Sequence, residues 1–202
     1  MKNLYLRSAV ALSCALSLAA CGGDDDGTMQ LGGTVENVTV SGLVLQNKGG
    51  PELKVEPNVS TFVFPDLIAT NTEFDITIKS PPSNATCAMV NGKGKSSVYG
   101  VGNITVRCTL IPHDIKGKIT GLTSGPLVII NGSYRLSIAA NSTEFNMTTL
   151  AENKKDKLGQ VGETMAYGLS VLHQPPGLTC RIDNAIGTMG KADVDHILIT
   201  CN

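Results

Sequence analysis

The chain contains no tryptophan, and its only aromatic residues are four tyrosines and four phenylalanines among 202 positions. Aromatic side chains supply the largest buried areas in protein cores, so each domain built from this sequence should have a thin core. Small domains with thin cores commonly depend on covalent stabilisation. The scarcity of aromatic residues also argues against a glycan-binding module, because sugar rings usually stack on exposed aromatic side chains.

Strong charge of either sign is also missing. Charged residues make up 16% of the chain, and the formal net charge is −1. Lys2 and Arg7 lie in the first 20 residues, which leaves 14 basic and 17 acidic side chains in the rest of the chain. Binding to nucleic acid requires a basic face, so we expect no nucleic-acid partner. After residue 20 the sequence has no apolar run long enough for a transmembrane helix.

Recognisable catalytic motifs are absent as well. The sequence has no Gly-x-Ser-x-Gly motif and no glycine loop of the phosphate-binding type. Asp193 and Asp195, in the string ADVDHI, would share one face of a strand while His196 points to the other. Such a carboxylate pair could bind a cation, but we interpret it as a solvated strand edge or turn. We therefore expect no enzyme activity, no catalytic residues, no metal site and no cofactor.

The first 20 residues have the pattern of an export signal. Lys2 and Arg7 precede an uncharged apolar run over residues 9–20, which is too short to span a bilayer as a helix. The four residues Leu18-Ala19-Ala20-Cys21 resemble the lipobox of bacterial lipoproteins. The resemblance implies that Cys21 becomes the new N-terminus and carries acyl chains such as palmitate, which attach the protein to a membrane. Within that family, Gly22 after the cysteine favours the outer membrane, at its periplasmic face or at the cell surface.

Residues 21–31 form the next segment, CGGDDDGTMQL. Glycines and three consecutive aspartates cannot bury apolar surface, so we expect a flexible tether. A calcium loop would need alternating ligand positions, whereas these three aspartates are contiguous.

The cysteines predict two disulfide bonds. Cys14 leaves with the signal and Cys21 is taken by lipid, so four cysteines remain: Cys87, Cys108, Cys180 and Cys201. Four cysteines allow three pairings. The separation of 21 residues occurs twice and favours Cys87–Cys108 and Cys180–Cys201, which would form in an oxidising compartment. Each disulfide should stabilise the folded state by about 3 kcal/mol, because it reduces the entropy of the unfolded chain. A zinc site is disfavoured because the spacing lacks Cys-x-x-Cys pairs.

Two tandem copies of one segment account for this equal spacing. Residues 32–110 form the first copy and residues 113–202 the second, with Ile111-Pro112 between them. Counted from the first cysteine of each copy, the same residue types recur at the same offsets: Pro82 and Pro175, Thr86 and Thr179, Asn91 and Asn184, Gly94 and Gly187, Ile104 and Ile197.

Each copy has the pattern of a β-sandwich. In FDITIKS and NITVRC, apolar residues alternate with polar ones, as in half-buried strands. Gly-Gly and Asn-Gly pairs separate these runs, as in hairpin turns. About seven short strands in each copy predict an all-β chain with two tandem immunoglobulin-like β-sandwich domains. A jelly-roll-like or smaller sandwich is the alternative. Each disulfide would then join the last two strands of its copy.

The repeated pattern is similar to a repeat of bacterial exported lipoproteins and surface proteins. It includes a Phe-x-Phe strand, a Gln-Pro-x-Gly-x-x-Cys segment and a closing Val-x-Cys. The second copy has Gln174-Pro175-Pro176-Gly177-Leu178-Thr179-Cys180, whereas the first has Ser80-Pro81-Pro82 in place of the Gln-Pro start. The resemblance implies an extracytoplasmic β module, and it carries over no catalytic residue.

The second copy has an insertion near residues 150–163, with the sequence LAENKKDKLGQVGE. Its basic residues Lys154, Lys155 and Lys157 make it a candidate binding loop, because recognition often resides in loops on a rigid scaffold. A surface insertion without function is the alternative, since added loop length costs little entropy.

Together these observations predict a non-catalytic lipoprotein of the bacterial envelope that acts as a binding or spacer module. Its expected partners are the membrane, through the N-terminal lipid, and an unidentified protein or other envelope component. A periplasmic immunity or inhibitor lipoprotein directed against a secreted effector is the first alternative. A glycan-binding module is the second.

Overall fold

The computed structural model describes residues 27–97, 101, 103–150 and 157–202. Within these residues every helix or strand element is a β-strand. None of the described residues forms a helix that is long and apolar enough to cross a membrane. The predicted export signal, Cys21 and the acidic part of the predicted tether lie outside the described residues. The prediction that the tether extends to residue 31 is wrong, because residues 28–31 belong to the first strand and Leu31 is fully buried in the core.

The described residues between 27 and 110 contain eight strands: β1 (Thr28–Glu36), β2 (Leu43–Asn47), β3 (Glu52–Val55), β4 (Thr61–Ala69), β5 (Glu73–Ser80), β6 (Ala85–Val90), β7 (Lys93–Lys95) and β8 (Thr105–Leu110). They form two four-stranded sheets with the orders β4-β1-β8-β6 and β3-β2-β5-β7. We call this unit the first sandwich.

Twelve further strands lie in the described part of residues 111–202: β9 (Pro112–His113), β10 (Ile115–Thr120), β11 (Leu127–Asn131), β12 (Tyr134–Ile138), β13 (Glu144–Asn146), β14 (Thr149–Leu150), β15 (Lys157–Leu158), β16 (Val161–Gly162), β17 (Ala166–His173), β18 (Cys180–Asp183), β19 (Ile186–Thr188) and β20 (Val194–Cys201). Two four-stranded sheets with the orders β13-β10-β20-β18 and β12-β11-β17-β19 make up the second sandwich.

The two sandwiches have the same topology. In each, the first strand pairs antiparallel with the fourth and parallel with the last, β1 with β8 and β10 with β20. The prediction of an all-β, immunoglobulin-like fold is confirmed.

Each sandwich has its own hydrophobic core. The first cluster combines residues from both sheets, including Phe62 and Val106 from one and Leu45 and Phe74 from the other. The second cluster contains residues 115–201 and shares no member with the first. Burial alternates along the strands, as in β4, where Phe62 is 5% exposed and Val63 is 47% exposed. This period of two places the apolar face of each sheet against its partner.

The structure contains both disulfides, Cys87–Cys108 and Cys180–Cys201. The cysteines of each pair lie directly opposite one another on adjacent antiparallel strands, β6 with β8 and β18 with β20. Each bond therefore joins neighbours within one sheet. The strands are not the last two of each copy in sequence, because the short strands β7 and β19 come between them and join the other sheet.

The insertion in the second copy forms two small β pairs. Strands β14 and β15 pair antiparallel, and residues 151–156, which come between them in the sequence, lie outside the described residues. Strand β16 pairs antiparallel with β9, which belongs to the segment between the two sandwiches. We call residues 111–113 the connector. Part of the insertion is thus built into the connector.

Candidate functional site

A cluster of polar side chains lies where the connector meets the second sandwich. Its centre is Asp114, the residue between β9 and β10, whose side chain is 13% exposed. Asp114 Oδ1 accepts hydrogen bonds from Thr148 Oγ1 at 2.8 Å and from Gln160 Nε2 at 2.7 Å. Asp114 Oδ2 accepts a hydrogen bond from Asn146 Nδ2 at 3.3 Å and lies 3.4 Å from Lys116 Nζ. The carboxylate thereby ties the start of β10 to both ends of the inserted hairpin.

These contacts lower the pKa of Asp114. Burial raises the pKa of the Asp114 carboxyl, but the hydrogen bonds from Thr148, Gln160, Asn146 and Lys116 outweigh burial and lower that pKa to about 2. A carboxyl with this pKa is ionised at neutral pH. General acid–base catalysis needs a group whose pKa lies near the working pH, so Asp114 is suited to bracing the fold and not to proton transfer.

Lys116 and Asp193 form the exposed side of the cluster. Lys116 Nζ donates to Asp193 Oδ2 at 2.7 Å, and the Asp114 backbone N–H donates to Asp193 Oδ1 at 2.9 Å. The hydrogen bond from Lys116 lowers the pKa of Asp193, and the same bond raises the pKa of Lys116. Because the two side chains are 40% and 42% exposed, solvent screens the pair and its contribution to stability is small.

The buried side of the cluster is the pair of His113 and Glu163. The Glu163 side chain is 7% exposed, and His113 Nε2 lies 3.1 Å from Glu163 Oε1. His113 Nδ1 lies 3.8 Å from Asp193 Oδ1. A buried polar side chain is costly unless it is hydrogen-bonded, and the imidazole of His113 provides a hydrogen-bond partner for Glu163.

The arrangement brings together some of the residues expected from the sequence and leaves others apart. Asp193 joins the Asp114 cluster, whereas Asp195 lines an open cavity of about 540 Å³ together with Lys118, Glu144 and neighbouring residues. A bulge in β20 between Val194 and Ile197 interrupts the alternation of the strand, and Asp195 and His196 are both exposed. The expectation that His196 points away from Asp195 into the opposite face is therefore not met.

The candidate binding loop lies mostly beyond the described part of the chain. Lys157 is exposed in β15, while Lys154 and Lys155 fall among the undescribed residues. Within residues 27–97, 101, 103–150 and 157–202, no three His, Cys, Asp or Glu side chains are grouped so as to hold a metal ion. The Asp114 cluster itself was not indicated by the sequence, because Asp114 lies 32 residues from Asn146, 46 from Gln160 and 79 from Asp193, and these residues share no motif.

The similarities of this chain to known proteins are weak. No family model and no curated protein matches the chain. Among solved structures, the chain is similar to a streptococcal ancillary pilin, with a TM-score of 0.35 and 12% identity. That match covers 88% of this chain and 63% of the pilin, so the chain spans less than two thirds of its length.

Two further solved structures are matched over most of their length. The shaft pilin SpaA of Lactobacillus rhamnosus GG, as a D295N mutant, has a TM-score of 0.29 and 9% identity, over 87% of this chain and 98% of the pilin. A single B repeat unit of the collagen-binding surface protein of Staphylococcus aureus has a TM-score of 0.25 and 15% identity, again over 87% and 98%. With these values the chain is assigned to none of the three families.

Proposed function

We propose that the protein is a non-catalytic lipoprotein of the bacterial envelope, anchored by lipid on Cys21, whose two sandwiches act as a spacer or binding module. The proposal rests on the bonding of the cysteines. The four cysteines of the sandwiches form two disulfide bonds with one another. Cys21, directly after Leu18-Ala19-Ala20, is therefore the one cysteine left over once the predicted signal is removed. Disulfides of this kind persist outside the cytoplasm, where lipid attachment to an N-terminal cysteine also takes place.

The polar cluster supports a structural role over a catalytic one. Asp114, Asp193 and Glu163 are engaged with partners of this chain. The hydrogen bonds that lower the pKa of Asp114 to about 2 come from residues of the same sandwich. A site built to bind and transform a substrate would instead leave polar groups free to meet it.

Of the alternatives, the glycan-binding module finds little support in the described residues. Phe62, Phe64, Phe74, Phe145 and Tyr167 are all buried, and Tyr134 is half-buried. These positions offer no exposed ring on which a sugar could stack.

Replacing Cys21 with serine tests the anchor directly. We expect Cys21→Ser to abolish incorporation of a labelled fatty acid and to move the protein from the membrane fraction to the soluble fraction. Cys14→Ser, within the predicted signal, is the matched control and should leave both properties unchanged. Persistent membrane attachment together with fatty-acid labelling of the Cys21→Ser protein would refute lipidation at this residue.

A further inference from the structure

We propose that residues 161–164, here called the clamp segment, hold the two sandwiches together as one rigid body. In this proposal Thr164 is the residue that contacts the first sandwich. The sequence suggested the insertion as a candidate binding loop. In this proposal the C-terminal end of the insertion fixes the angle between the two sandwiches.

Backbone hydrogen bonds join the clamp segment to the connector. Val161 pairs with His113, and Gly162 pairs with Pro112, in the β16–β9 ladder. The Glu163 N–H continues this ladder by donating to the Ile111 carbonyl at 2.9 Å. All three connector residues are therefore fixed by a segment about 50 positions further along the chain, and a connector bonded in this way is no longer a free hinge.

Side-chain hydrogen bonds extend the clamp into the first sandwich. Thr164 Oγ1 lies 2.8 Å from Thr39 Oγ1, in the loop between β1 and β2. Thr39 Oγ1 also accepts a hydrogen bond from Asn84 Nδ2 at 2.7 Å. The Asn84 carbonyl in turn accepts the Ile111 N–H at 2.8 Å. The contacts form a closed ring from the second sandwich through the first and back to the connector.

Asn84 is buried, whereas the equivalent residue of the second copy is exposed. Asn84 is 2% exposed, although it lies in the loop before β6. Its counterpart in the second copy, three residues before the cysteine, is Gly177, which is exposed. A Cβ added to Gly177 would meet no other atom within 4 Å. The same loop is therefore enclosed in the first copy and open in the second.

The backbone of Thr164 is strained. Its φ is 69°, in the left-handed region that β-branched residues seldom adopt. Its N–H donates to the carbonyl of Met189, a core residue that is 2% exposed. Strained residues persist where their surroundings over-determine them. Here a core contact on one side and the Thr39 hydroxyl on the other hold the residue in place.

Close packing adds to the hydrogen bonds. A Cβ on Gly162 would lie 2.7 Å from Leu110 Cβ, so the glycine lets β16 approach the last residue of the first sandwich. Glu163, between Gly162 and Thr164, is itself buried against His113 of the connector. Each residue from 161 to 164 thus contacts the connector or the first sandwich.

The use of such a clamp rests on the proposed spacer function. A rigid pair of sandwiches would keep a fixed distance between its own two ends, whereas a hinged pair would not. Rigidity itself can be measured without any membrane, so the clamp and the anchor can fail independently.

Residual dipolar couplings on the exported full chain carrying Cys21→Ser test the clamp. We expect one alignment tensor to describe both sandwiches. Thr164→Val removes the hydroxyl but keeps the branched side chain, and loss of one hydrogen bond should raise the population of undocked molecules about fivefold. The magnitude of the alignment tensor of one sandwich should then decrease relative to that of the other. Thr164→Ser keeps the hydroxyl and should behave as the parent protein does.

A second pair of variants tests the packing. Gly162→Val drives a side chain into Leu110 and should separate the two tensors further, whereas Gly168→Val, at an open position of β17, should not. Dispersed amide spectra from both sandwiches confirm that each variant is folded. Two unequal tensors in the parent, or a single shared tensor in both Thr164→Val and Gly162→Val, would overturn the proposal.

Discussion

At the scale of single residues, Asp114 shows how a local environment decides a chemical role. The sequence offers 17 acidic residues with nothing to distinguish this one. In the structure it receives hydrogen bonds from Thr148, Gln160 and Asn146, which belong to the edges of the insertion. Its depressed pKa records the net effect of burial, which disfavours the charge, and of these donors, which favour it more strongly.

The depressed pKa predicts a pH-dependent cost for Asp114→Asn. A carboxyl whose pKa is about 2 when folded and 3.8 ordinarily stabilises the fold above about pH 4, and this stabilisation is lost as the pH falls towards 2. We expect Asp114→Asn to lower the free energy of unfolding by about 1–2 kcal/mol at neutral pH. The difference from the parent should narrow in acid.

Urea unfolding of the two proteins at neutral pH and at about pH 3 measures this difference. Asp195→Asn, at an exposed position of β20, is the control and should change stability by less than about 0.5 kcal/mol. A cost for Asp114→Asn that stays constant across this pH range would contradict the assignment.

At the scale of strands, the sequence predicted the type of element and the pairing of the cysteines better than it predicted the contacts of the short strands. Alternation in FDITIKS anticipated β5, and equal cysteine spacing anticipated the β6–β8 and β18–β20 disulfides. The pairing of β16 with β9 was missed, because a two-residue strand has no periodicity to detect. The hairpin β2–β3 also has one residue more between the paired residues Leu45 and Leu53 than β11–β12 has between Ile129 and Leu136.

Parallel pairing of the first and last strands makes a testable demand on two glycines. A Cβ on Gly33 of β1 or on Gly117 of β10 would come within 3.0 Å of the backbone carbonyl oxygen of Ile104 or Ile197. Backbone atoms cannot move aside cheaply, so Gly33→Ala and Gly117→Ala should each destabilise their sandwich by about 1–3 kcal/mol.

Thermal unfolding checks this expectation, with Gly168→Ala as the control. Gly168 lies in β17 with no atom near its missing side chain, so alanine there should be neutral or slightly stabilising. Equal effects of all three substitutions would mean that the strands approach less closely than the structure shows.

At the scale of the whole molecule, the division into two cores governs how stability is distributed. The clusters around Leu45 and Ile129 share no residue, and each is closed by its own disulfide. The sandwiches meet instead through polar contacts and a short ladder at the connector. Such junctions orient domains while contributing less to unfolding free energy than a shared apolar core would.

Core truncation should therefore act within one sandwich. Leu45 and Ile129 are equivalent residues, each 0% exposed, and alanine at either position should cost about 2–5 kcal/mol. Hydrogen exchange should accelerate mainly in the first sandwich for Leu45→Ala and mainly in the second for Ile129→Ala. Equal acceleration in both sandwiches for both variants would indicate one cooperative unit.

The sequence by itself determined the β class, the tandem repeat and the pairing of the cysteines. The β class follows from the alternation of apolar and polar residues, and the other two follow from spacings that recur in both copies. Tertiary structure alone decided the Asp114 cluster and the clamp. Their contacts join residues as far apart as Thr39 and Thr164, separated by 125 positions, and no local pattern marks one threonine among many for such a contact. The partners meet because the pairing of β16 with β9 places the end of the insertion beside the connector.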